Sequence, residues 1–118
     1  MPARLRPASA AEVTAALAAE PRQPAQTRLL VKHYLAVLSE RAPGASVEVR
    51  VPPYAAVQAV PGVRHTRGTP PAVVELDADT WIALAVGELT WAVAEAAGRV
   101  RASGERADLS ALLPLAQP

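Results

Sequence analysis

From Val73 to Leu115 each change of backbone direction is marked by a residue whose chemistry calls for it, and this constrains the fold more than any other feature. Val73 to Leu76 is a short β-branched run that reads as a strand. Asp77 follows as an N-cap, because its carboxylate can accept the free N–H groups of the next turn. Trp81, Leu84 and Ala85 then recur at i, i+3 and i+4 on one helical face. Gly87 is placed to end that helix in the left-handed conformation that glycine adopts cheaply. Thr90 caps a second short helix and Gly98 closes it. Arg99 to Ser103 alternates like a half-buried strand, Gly104 ends it, and Asp108 opens a last short helix.

Upstream, Met1 to Pro7 reads as a loose tail, taken as residues 1–8 of a single domain spanning 1–118. Ser9 to Glu12 fits the S-x-x-E capping box, which predicts a short helix over about 10–19. Pro21 and Pro24 interrupt. A longer helix is expected over about 25–41, with Leu30, Val31, Tyr34, Leu35 and Leu38 on one face and Arg28, Lys32, Ser39 and Glu40 off it. Pro43-Gly44 terminates it. Val47, Val49 and Val51 alternate with Ser46, Glu48 and Arg50, and Pro52-Pro53 breaks this strand. Tyr54 to Val60 is a second strand, Pro61-Gly62 a turn, and Val63 to Arg67 a short third strand or a loop. Gly68 to Pro71 leads as a rigid connection into the strand at Val73.

The strands agree in parity. Glu48, Arg50, Glu75, Arg99 and Arg101 would share one sheet face, and Val47, Val49, Val74, Leu76, Val100 and Ala102 the other. A sheet with one wet and one apolar face is typically antiparallel or mixed and covered by helices on the apolar side. The expected architecture is therefore α+β, with about five mostly antiparallel or mixed strands and helices packed on one face.

Composition narrows the function classes. At 118 residues the chain can bury roughly two thirds of its extended surface, enough for a core without staples. It has no cysteine, which removes disulfides and thiolate metal sites. A formal charge of +1 argues against a nucleic-acid partner. No apolar run approaches the ~18 residues of a membrane span, and no apolar h-region follows Arg4 and Arg6, so neither stable membrane insertion nor a signal peptide is expected. A cytoplasmic location follows. Phenylalanine is absent, so Trp81, Trp91, Tyr34 and Tyr54 supply the only large rings for a core of Ala, Val and Leu.

The polar residues give little chemistry. Arg64-His65-Thr66-Arg67 could cradle an anion between guanidinium forks, but it has no second histidine or nearby carboxylate and reads better as a polar edge strand or loop. His33 lies off the apolar face of the long helix and reads as a solvated surface residue. Two histidines without a shared motif do not make a zinc site, which needs three or four donors. Asp77, Asp79 and Asp108 read as helix caps and first-turn charges. Ser103 and Ser110 have no base at motif spacing. No catalysis, cofactor or metal is expected. Leu109, Leu112, Leu113 and Leu115 form an apolar C-terminal cluster that would dock on the core, cover an opening, or support self-association as a homodimer.

The strand ending at Asp77, Trp81 one turn into the helix, the Gly87-Glu88-Leu89-Thr90-Trp91 turn and the Ala96 to Gly104 passage together resemble the sterol carrier protein family, type two, in particular a small single-domain bacterial branch. The likeness is specific from Val73 to Leu115 and looser elsewhere. It implies a non-catalytic carrier whose apolar small-molecule ligand, fatty acyl or sterol-like, lies in a tunnel between helices and sheet. The tunnel walls it implies here are Leu35, Leu38, Val49, Trp81, Leu84, Trp91 and Leu112. Two other readings stay open: an interaction module with the same fold and a filled core, and an enzyme accessory domain.

Overall fold

Side chains alternate faces along a strand, and in β1 (Val47–Val51) the three valines have no exposed area while Glu48 and Arg50 point the other way. In the computed structural model, which describes residues 4–62, 72–104 and 107–116, β1 lies second in a mixed sheet. β2 (Ala55–Ala59) pairs antiparallel with it on one side and β3 (Ala72–Leu76) parallel on the other. β4 (Val100–Ser103) closes the order β2-β1-β3-β4, antiparallel to β3. The sheet has four strands among the described residues, one fewer than the sequence suggests. The expected strand or loop at Val63 to Arg67, the Arg64-His65-Thr66-Arg67 cluster and the Gly68 to Pro71 connection lie outside the described residues.

The register places the end of β2 and the start of β3 at the same end of β1. β2 ends at Ala59 opposite Val47, and β3 begins at Ala72 opposite the same Val47.

Parity holds across the sheet, with two exceptions. Val47, Val49, Val74, Leu76 and Val100 are buried, and Arg50 and Arg101 are exposed, with Glu48 and Glu75 half-buried on the same wet face. Glu75 stands between Arg50 and Arg101 in adjacent strands, and Arg50 Nε pairs with Glu48. Ala102, expected on the apolar face, is exposed. β4 is an edge strand, and of its residues only Val100 is buried. Arg99, expected on the wet face, precedes β4 and donates from Nε to Thr80 Oγ1 at 3.1 Å, which turns it toward the helical layer.

Four helices cover the valine face. α1 (Ala10–Ala18) starts at the reciprocal Ser9–Glu12 capping box. α2 (Pro24–Arg41) has Pro24 at its first position, where a missing N–H costs nothing, and Gln26 Oε1 accepts the Gln23 N–H. Its expected face, Leu30, Val31, Tyr34, Leu35 and Leu38, is buried throughout. α3 (Ala78–Val86) begins at Asp77, whose Oδ1 accepts the Thr80 N–H at 3.0 Å, and α4 (Trp91–Ala96) at Thr90, whose hydroxyl accepts the Val93 N–H at 3.2 Å. Trp81 of α3 is fully buried, and its indole N–H donates to the Val31 carbonyl of α2 at 3.3 Å. One side chain thus supplies both the largest apolar body in the core and a tether between two helices.

The link from α2 into the sheet is tight. Val60 has φ of 72°, a left-handed value that β-branched residues rarely adopt. Three hydrogen bonds hold it: its N–H to the Ala42 carbonyl at 2.6 Å, and its carbonyl to the Ser46 N–H at 3.2 Å and Ser46 hydroxyl at 2.8 Å. Gly44 lies against this carbonyl so closely that a Cβ there would stand 2.2 Å from the Val60 oxygen.

The amino-terminal segment and His33, expected to be a loose tail and a solvated side chain, are joined to each other. Ala8 N–H donates to His33 Nδ1 at 2.9 Å, the imidazole stands edge-on to Tyr34 at 4.7 Å, and half-buried Leu5 packs on the core. Sequence alone could not find this bond, because its partners are 25 residues apart and nothing local pairs them. Burial pushes the His33 pKa below its usual 6.5, against the opposing pull of Glu40. Below pH 6.5 the unfolded chain then binds more protons than the folded one. Stability from this group is complete above pH 6.5 and falls as the pH drops through the lowered folded value. Melting curves between pH 7.5 and 4.5 should show this acid loss, and His33→Gln should flatten it.

Candidate functional site

An apolar opening forms at a corner of three elements. α3 ends at Gly87, whose φ of 87° lets the chain reverse while the Glu88 and Leu89 N–H groups return to the Ala83 carbonyl at 2.9 and 3.3 Å. α4 leaves from Thr90 almost at once. Beyond β4 the chain returns as a strap, residues 107–116. Asp108 starts it by accepting the Ser110 N–H at 2.8 Å, a bond that lowers its own pKa. A single 3₁₀ turn, Ser110–Leu112, stands where the sequence suggests a short helix. Leu109 and Leu115 are buried to 1% exposure on either side of it. The Leu115 and Ala116 N–H groups both donate to the Ala85 carbonyl of α3, at 2.8 and 2.9 Å. The strap therefore satisfies a helix-end carbonyl that would otherwise need water.

Beneath the strap is a cavity of about 320 Å³ lined mainly by Leu84, Leu89, Trp91, Leu113 and Pro114, with Thr90 and Ser110 as its hydroxyls. Trp91 is 5% exposed, and its indole N–H has no acceptor among the described residues. The volume is at the lower end of the ~300–1,000 Å³ typical of small-molecule sites.

The residues expected to line a ligand tunnel divide into two groups. Leu84 and Trp91 border the strap cavity, and Leu112 is half-buried on the strap. Leu35, Leu38, Val49 and Trp81 have no accessible area and pack in the central core. These four are not among the residues that line the strap cavity. Leu89 and Pro114 line the cavity without having been expected to, and so does Leu113, expected only as part of the carboxy-terminal leucine cluster. On the strap the signal was weak, because a 3₁₀ turn advances 120° per residue rather than 100° and so changes which of Leu112 and Leu113 faces inward.

Among the described residues no three His, Cys, Asp or Glu side chains gather closely enough to hold a metal ion, and no helix is long and apolar enough to cross a membrane. A mixed sheet with one helical layer and an apolar recess under a carboxy-terminal strap defines a small α+β domain. A family model described as bacterial SCP ortholog matches residues 22–115, and the chain belongs to this bacterial sterol carrier protein-like family. No curated protein matches the chain significantly.

Proposed function

We propose that this chain is a non-catalytic carrier for an apolar, lipid-like molecule, held at the α3–α4 corner beneath the strap and acting in the cytoplasm. The carrying observation is the apolar cavity bounded by Leu84, Leu89, Trp91, Leu113 and Pro114 under a segment fastened by two hydrogen bonds. Membership in a carrier family supports the same reading. The driving force is desolvation, about 0.8 kcal/mol per buried methylene. A volume of about 320 Å³ favours a fatty acyl chain over a sterol. No catalytic step or cofactor is part of this function.

The test is a titration with fatty acids of increasing length, followed by tryptophan fluorescence. Affinity should rise about fourfold per methylene until the cavity fills, with little dependence on salt. Trp91 borders the cavity and Trp81 does not, so the signal should survive Trp81→Phe and vanish in Trp91→Phe. The rival reading, an interaction module, draws on Val93, a large apolar side chain 57% exposed on α4. Folded protein without saturable binding in both a fatty-acid and a sterol series would favour that module.

A further inference from the structure

A second cleft lies on the outer side of α3, distinct in its lining from the strap cavity. Its volume is about 390 Å³. The floor is apolar, with Leu17 from α1 and Ile82, Ala83 and Val86 from α3, and the rim carries Arg22, Arg99, Asp79 and Glu88. Arg22 sits in the α1–α2 turn and is half-buried. Its Nε is shielded from solvent, and among the described residues it has no acceptor and Arg22 forms no ion pair. A guanidinium is always charged, and a shielded N–H without an acceptor is costly enough that native structures rarely keep one without a reason. Arg99 is fixed beside the same cleft through its Nε bond to Thr80.

We propose that this cleft binds a small amphipathic monocarboxylate. The carboxylate accepts from Arg22, with Arg99 as the neighbouring positive charge, and the alkyl body lies on Leu17, Ile82, Ala83 and Val86. Asp79 and Glu88 on the rim disfavour a second negative charge, which selects a monoanion over a phosphate dianion. The site does not depend on the carrier reading, because it shares no lining residue with the strap cavity.

Hexanoate is the probe, with 1-hexanol, hexylamine and hexyl phosphate beside it, followed by the amide resonances of Leu17, Ile82, Ala83 and Val86 and by the Arg22 Nε–H. Hexanoate should shift these signals saturably and bind more tightly than the other three. Arg22→Gln should weaken it about tenfold, the scale of one charge-assisted hydrogen bond, and Arg22→Lys should restore only part, since the ammonium lacks the planar fork. An unchanged spectrum elsewhere confirms that the variants fold. Shifts confined to Leu89, Trp91 and Leu113 would overturn the site while leaving the carrier reading intact. So would equal affinity in Arg22→Gln. A third contrary result is an Arg22 Nε–H that ignores hexanoate but moves in Asp79→Asn or Glu88→Gln, which would show that Arg22 pairs within the chain.

Discussion

Trp81→Ala should remove about 3–5 kcal/mol of stability, the range for deleting a buried aromatic ring. Trp81 has no exposed area, and its indole N–H holds the Val31 carbonyl, so the substitution opens a void and cuts the α2–α3 tether together. A domain of this size typically holds about 5–15 kcal/mol in total, so the loss is a large share. The melting temperature should fall by roughly 10–20 °C. Trp81→Phe keeps most of the ring and loses the hydrogen bond and some area, so it should cost about 1–2 kcal/mol. The core has no phenylalanine from which to repack. Urea denaturation followed by far-ultraviolet circular dichroism measures both. A loss below 1 kcal/mol for Trp81→Ala would mean that the ring is not the core anchor the structure makes it.

Gly44→Ala should be nearly as damaging through backbone geometry alone. The residue has φ of +152°, and an added Cβ would meet the Val60 carbonyl oxygen at 2.2 Å and its carbon at 2.5 Å. These are backbone atoms and cannot rotate away. Relief requires moving Val60, which would break some of the bonds that hold its left-handed conformation. Strain of ~1–3 kcal/mol and hydrogen bonds of ~1 kcal/mol each sum to a loss on the order of 2–4 kcal/mol. Gly62→Ala, on an exposed glycine two residues beyond Val60, is the control and should change little. Chemical denaturation of the two variants side by side decides it.

The helix boundaries were legible because each rests on a contact within a few residues. Ser9 reaches Glu12, Asp77 reaches Thr80, and Thr90 reaches Val93. The two-faced sheet was legible because strand alternation is a property of the backbone, and Val47, Val49, Val74 and Leu76 carry it in the residue order. The edge strand broke the pattern at Ala102, since alternation assigns a face but not a cover. His33 was misread for a related reason. Its position on α2 places it off the apolar stripe, and only the returning amino-terminal segment encloses it.

The candidate site was half legible. Leu84 and Trp91 follow from helical spacing and the Gly87 stop, whereas Leu89, Leu113 and Pro114 depend on where the strap is fastened. That fastening is the pair of N–H groups of Leu115 and Ala116 on the Ala85 carbonyl, some 30 residues back along the chain. The residue order by itself determined the elements, their caps and their apolar faces, because turns, capping and periodicity are short-range. The tertiary structure alone decided the parallel pairing of β1 with β3, the left-handed Val60 and the recess beneath the strap. Those depend on which distant groups come within hydrogen-bond and van der Waals reach once the apolar faces have packed.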